Sequence, residues 1–131
     1  MARPVCIAFY GSLMRRCGDR LAELGIADAL RPIGDCVLRG ALYSLGPWPG
    51  LVEGDGRVHG ELHELIDERA LAVLDDFEDY RPHDPASSLY ERRKVALLEP
   101  AGVIAWSYWW LGETSQERRI ASGRWTGTPA P

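Results

Sequence analysis

The sequence predicts an α+β domain: a small mixed, mostly antiparallel β-barrel or curled sheet, flanked by short α-helices. Three observations predict it. Several apolar runs have strand length and are bounded by glycine or proline. One segment, residues 67–79, repeats its apolar positions with helical period. The 131 residues are 46% hydrophobic, which suits one packed core and argues against disorder.

Val5 to Tyr10 is a short apolar run between Pro4 and Gly11, the pattern of a buried strand. Cys17 to Leu24 reads as a short helix stopped by Gly25. Leu38 to Leu45 alternates as a strand, and Gly46-Pro47-Trp48-Pro49-Gly50 follows as a rigid loop. Arg57 to Ile66 is the next strand. Asp67 is placed to cap a helix running to about Asp79, which Arg81-Pro82 ends. Residues 81–89 form a loop. Tyr90 to Leu98 and Val103 to Leu111 are strong strands joined by a turn at Glu99-Pro100-Ala101-Gly102. Thr114-Ser115-Gln116-Glu117 has the form of a capping box for one short helix. Residues 1–125 then form a single domain, and 126–131 a loose tail.

Composition narrows the function. The formal charge of −4 argues against a nucleic-acid binder, which needs a basic surface. The apolar run near the N-terminus is too short for a signal core or a spanning helix, so no membrane role is expected. Three cysteines, an odd number without C-x-x-C spacing, predict reduced thiols and a cytoplasmic setting.

Within the helix at 67–79, residues advance about 100° each. With Leu71 at zero, Leu74 falls at about 300°, Ala70 at about 260° and Phe77 at about 240°, one apolar stripe. Glu78 falls at about 340°, inside that stripe, whereas Asp75, Asp76 and Asp79 lie off it and are expected to be solvated. A carboxylate on an apolar face must be paired, hydrogen-bonded or protonated. Burial raises its pKa towards neutrality, which suits a group that takes and returns a proton. The plainer alternative is a helix-end glutamate that escapes to solvent.

The strand at 5–10 ends abruptly at Tyr10-Gly11-Ser12-Leu13. Gly11 permits unusual backbone angles there. Successive N–H groups in such a turn can form an anion-binding nest, with the Ser12 hydroxyl as a further donor. The alternative is an ordinary strand-to-helix turn. No phosphate-loop or dinucleotide-binding glycine pattern is present. His59, Glu61 and His63 alternate along one strand face, as a polar face or a metal site, though without the helical H-E-x-x-H spacing. Tyr108 shares a face with Trp106 and Trp110, where it either packs in the core or lines a pocket, and Tyr43 is a weaker candidate. Arg92 is expected to be solvated or to pair with an acidic neighbour.

Taken in order, these segments resemble the γ-glutamylcyclotransferase-like superfamily, which includes the avirulence-induced-protein-like and γ-glutamylamine cyclotransferases. The resemblance rests on Tyr10-Gly11-Ser12-Leu13 and on Leu74-Asp75-Asp76-Phe77-Glu78-Asp79-Tyr80. It is reinforced by Leu42-Tyr43, Pro49-Gly50, Val58-His59-Gly60-Glu61, Tyr90-Glu91-Arg92 and the aromatic strand from Trp106 to Trp110. It covers roughly residues 5–125. It implies a small β-barrel, a γ-glutamyl group held by N–H groups of the turn, and Glu78 as catalytic acid/base. The implied reaction closes a γ-glutamyl group to 5-oxoproline and releases an amine or amino acid, with no enzyme nucleophile, metal or cofactor. Two functions are therefore expected to compete: this enzyme, and a non-catalytic module binding a γ-glutamyl or amino-acid-like ligand on the same scaffold. An ionisable group on an apolar stripe favours the enzyme.

Overall fold

The computed structural model describes residues 4–126. Five strands form one sheet: β1 (Cys6–Phe9), β2 (Leu30–Ser44), β3 (Pro49–Leu65), β4 (Tyr90–Ala96) and β5 (Ile104–Trp110). Among the described residues two α-helices accompany them, α1 (Arg20–Glu23) and α2 (Arg69–Phe77). The spatial order is β2-β3-β1-β5-β4. Neighbours are antiparallel except β1 and β5, which run parallel.

The core explains this order. All four residues of β1 are buried, as a strand covered on both edges and both faces requires. Around it pack Leu38, Leu42, Leu51, Val58 and Leu62 from the β2–β3 hairpin, Leu74 from α2, and Tyr108 and Trp109 from β5. β2 and β3 are much longer than the alternating segments at 38–45 and 57–66 suggest. Pro32, Gly34, Gly54 and Gly56 interrupt the pattern in their outer parts. The register shifts between Pro32 and Gly34 and between Arg39 and Ala41 absorb those residues as irregularities of a continuous hairpin.

Of the two expected forms the sheet takes the open, curled one, and the closed barrel is not formed. β4 has only seven residues against fifteen in β2, so the two edges cannot pair along their length. Contact is limited to the loop between β4 and β5. There the Val37 N–H donates to the Glu99 carbonyl at 2.8 Å, and the Leu98 N–H donates to the Val37 carbonyl at 2.9 Å.

The segment at 17–24 is a 3₁₀ turn at Arg15–Cys17 followed by the single turn of α1. The capping-box segment gives one 3₁₀ turn, Gln116–Arg118, without a side-chain cap. The expected tail lies outside the described residues apart from Thr126, and Trp125 just before it is buried. No helix among the described residues is long and apolar enough to cross a membrane.

Candidate active site

A cavity of about 440 Å³ opens where the end of β1, the β2–β3 loop and the end of α2 converge. Tyr10, Gly11, Ser12, Leu13 and Glu78 all line it, so the two sequence motifs share one wall. Its size is ordinary for a small-molecule site. A second hollow of about 620 Å³, beside Ile33, Val103 and Trp106, has a mainly apolar lining and no carboxylate.

The Tyr10–Leu13 turn is held from several sides. The Tyr10 hydroxyl donates to the Tyr108 carbonyl at 2.6 Å and accepts the Leu51 N–H at 3.2 Å. The Met14 N–H closes the turn onto the Gly11 carbonyl at 3.0 Å. One residue on, the Arg15 N–H donates to Glu61 Oε1 at 2.8 Å. Gly60 makes that reach available, because β3 passes so close to the Phe9 carbonyl that a Cβ would lie 2.5 Å from its oxygen. The N–H groups of Gly11, Ser12 and Leu13, and the Ser12 hydroxyl, have no protein acceptor among the described residues. They are the free donors a nest requires.

The reason for glycine at position 11 differs from the expected one. Gly11 is not among the positive-φ residues. Instead, a Cβ there would sit 3.0 and 3.1 Å from the ring carbons of Pro49, across the cavity wall. A side chain there would crowd Pro49 at the start of β3, so close packing rather than backbone geometry favours glycine.

Glu78 follows the last residue of α2. The helix ends in a Schellman motif: Tyr80 N–H donates to the Asp75 carbonyl at 2.8 Å and Asp79 N–H to the Asp76 carbonyl at 3.1 Å. Asp79 carries the left-handed conformation, with φ of 53°, where glycine is usual. This termination fixes the direction in which Glu78 leaves the helix. Its carboxyl has no hydrogen-bond partner among the described residues and faces the cavity. Burial alone pushes its pKa up to about 8.

The neighbouring groups are committed elsewhere. Burial, with Glu78 adding to it, pushes the Tyr10 and Tyr90 phenols well above their ordinary range. The Tyr90 hydroxyl donates to the Pro49 carbonyl at 2.8 Å. Asp79 pairs with Arg81 at 2.7 Å. Glu78 is thus the cavity carboxyl left to exchange a proton near neutrality.

Tyr108 does not line the cavity. Its hydroxyl donates to Asp75 Oδ1 at 2.7 Å, and its backbone carbonyl holds Tyr10. Asp75, expected to be solvated, is buried. It accepts Nε of Arg92 at 2.8 Å and Nη2 at 3.1 Å in a forked pair. The helical wheel sets Asp75 off the α2 stripe, yet it is one of the buried residues of the helix, because Arg92 on β4 and Tyr108 on β5 cover that flank. Arg92 also stacks over Trp106, 4.3 Å from the ring centroid. The pair ties α2 to the strands and so holds the Glu78 end of the helix against the turn.

Glu61 and His63, weighed as metal ligands, instead meet each other at 3.4 Å while Glu61 braces the turn. His63 is buried, and burial lowers its pKa. Tyr43 is buried and bridges to Arg119, away from the cavity. Three lining residues carry no clear signal in the sequence: Arg20, Trp48 and Leu89. Only their convergence in space marks them.

Comparison with known proteins gives the family of the chain. A family model described as Gamma-glutamyl cyclotransferase, AIG2-like, matches residues 7–127. The Gamma-glutamylcyclotransferase family protein YtfP of Escherichia coli K12 is 36% identical over 84 residues, 64% of this chain and 66% of that protein. A Vibrio cholerae protein assigned provisionally as a gamma-glutamylcyclotransferase is 41% identical over 85 residues, 65% of each. These matches span just under two thirds of the relatives' length. Among solved structures, the E. coli ytfP protein superposes with a TM-score of 0.65 at 30% identity, covering 93% of this chain and 96% of that one. A mouse aig2-like protein gives 0.66 at 26% identity, covering 89% and 83%. Because that family model spans residues 7–127, nearly the whole chain, the chain belongs to the AIG2-like γ-glutamyl cyclotransferase family.

Proposed function

We propose that this protein cyclises a γ-glutamyl group to 5-oxoproline and releases the attached amine, with Glu78 as general acid/base. The observation that carries the reading is the unpartnered Glu78 carboxyl, with its pKa near 8, lining the same cavity as a turn whose Gly11, Ser12 and Leu13 N–H groups have no protein acceptor among the described residues.

The substrate's own α-amine attacks its γ-carbonyl carbon and a five-membered ring closes. The amine must first shed a proton, and its ordinary pKa is about 8. A carboxylate with a similar pKa accepts that proton at little cost. Glu78 then returns it to the leaving nitrogen as the old C–N bond breaks, and the second proton that the attacking nitrogen sheds on becoming the ring amide ends on the same leaving amine, so no water or enzyme nucleophile is consumed. The turn N–H groups would hold the glutamyl carboxylate or the developing oxyanion. Confinement supplies the rest, because a positioned amine and carbonyl react as an intramolecular pair. The buried, reduced thiols of Cys6 and Cys36 fit a cytoplasmic enzyme.

The test is 5-oxoproline release from γ-glutamyl amines, γ-glutamyl amino acids and glutathione. The rate should climb with pH up to about 8 and fall beyond it, as the shared proton is lost. If every substrate binds and none is cyclised, the protein is the non-catalytic binding module.

A further inference from the structure

The cavity has two chemically unlike ends. Its inner wall is the Tyr10–Leu13 turn and Glu78, with Phe9, Tyr10 and Leu13 buried. Its mouth is open: Trp48 and Leu89 are 47% and 43% exposed, and the Arg20 side chain is 48% exposed. Arg20 is the one cationic side chain in the lining among the described residues.

Its guanidinium is positioned but uncommitted. It lies 5.8 Å from the centroid of Phe77, the residue before Glu78, and the adjacent Leu21 anchors α1 in the core. Among the described residues its one acidic contact is Glu23 at 3.9 Å, with both side chains exposed, an arrangement too loose to hold it back.

We propose that Arg20 recognises a carboxylate on the leaving amine, so that the preferred substrates are γ-glutamyl amino acids or peptides rather than γ-glutamyl conjugates of simple or cationic amines. The inference rests on the cyclising reading above. That reading puts the γ-glutamyl half of the substrate on the inner wall. The amine half then projects to the mouth, between a guanidinium, an indole and a leucine. A carboxylate fits the planar donor fork of arginine. An apolar side chain fits Trp48 and Leu89. An amine bearing a second positive charge meets Arg20 and is disfavoured by repulsion.

Three probes isolate the group: γ-glutamyl-leucine, γ-glutamyl-leucinamide and γ-glutamyl-isoamylamine. They share the γ-glutamyl half and differ at the leaving amine. In the wild-type protein, kcat/KM for the leucine conjugate should exceed the other two by about tenfold, most of it in KM. Arg20→Met should erase that preference by lowering only the leucine conjugate, and Arg20→Lys should restore part of it. If Arg20→Met lowers all three equally, Arg20 holds the glutamyl carboxylate and the inference is overturned. The same follows if it lowers none.

Calorimetric titration of the three probes into Glu78→Gln, with and without Arg20→Met, separates this inference from the reading beneath it. Absence of 5-oxoproline from every probe in the wild-type protein defeats the cyclising reading alone. Tighter binding of the leucine conjugate, lost with Arg20→Met, still sustains the assignment of Arg20. Equal binding of all three probes, or none, overturns it.

Discussion

Two carboxyl groups sit three residues apart at the end of α2, and the protein treats them oppositely. Asp75 is buried with a full set of partners: the Arg92 fork and the Tyr108 hydroxyl. Glu78 is desolvated and given none. The first arrangement holds two charges in place. The second leaves a carboxyl whose charge is costly, and this makes it a proton carrier near pH 8. Burial by itself therefore does not mark function. What separates the two is whether the surroundings supply a counter-charge: β4 brings Arg92 to Asp75, and no such partner reaches Glu78 among the described residues.

The largest contrast is in turnover. Glu78→Gln removes the ionisable proton while keeping the shape, and should lower kcat by about 10²–10⁴-fold with the unfolding midpoint intact or raised. Asp75→Asn should do the reverse in kind. It leaves the largely buried Arg92 without its counter-charge and should cost about 2–4 kcal/mol in denaturant unfolding. Activity per folded molecule should fall less than in Glu78→Gln. If Asp75→Asn proves neutral in stability and fully inactive, the division of roles is inverted.

The second contrast is in how stability responds to pH. The folded pKa of Glu78 lies above that of an unfolded glutamate, so the native state holds a proton that the unfolded chain has released. Between about pH 4.5 and pH 8 the unfolded chain binds fewer protons than the native one, and stability falls as pH rises. This cost is absent below that window and complete above it. Glu78→Gln removes it. Relative to the wild-type protein, the variant should gain about 2–4 kcal/mol between pH 5 and pH 9, followed by urea unfolding at each pH. A constant difference across that range would show Glu78 to be solvated in the native protein.

The sequence reveals one of these carboxyls and conceals the other for the same reason. A helical wheel knows one helix and one face. Glu78 lies on the face that α2 turns to the core, so it stands out against Leu71 and Leu74. Asp75 lies on a flank that becomes interior only because β4 and β5 cover it, a contact carried by residues about 17 and 33 positions away. Tyr108 shares a strand face with Trp106 and Trp110 in the sequence, and the structure turns its hydroxyl to Asp75. The first strand and the turn at Tyr10 are local and legible. The open edge of the sheet depends on the unequal lengths of β2 and β4, which the proline and glycine interruptions at 32–34 and 54–56 disguise. Arg20 is one arginine among several until the mouth of the cavity gathers around it.

The smallest expected effect concerns what keeps the two carboxyls apart in direction. Asp79 occupies the left-handed position of the Schellman motif, where a side chain costs energy that glycine does not. Its salt bridge to Arg81 offsets part of that cost. Asp79→Gly removes the strain and also frees the backbone in the unfolded chain. The two effects oppose each other, so the net change should be within about 1 kcal/mol. Asp79→Ala keeps the strain and loses the salt bridge, and should be the less stable of the two. Activity separates them differently. If the hydrogen bonds of Tyr80 and Asp79 to the helix are enough to aim Glu78, both variants keep kcat within a few-fold of the wild-type protein. A large loss confined to Asp79→Gly would mean that the strained aspartate itself holds Glu78 to the cavity, and that the helix end is part of the catalytic geometry.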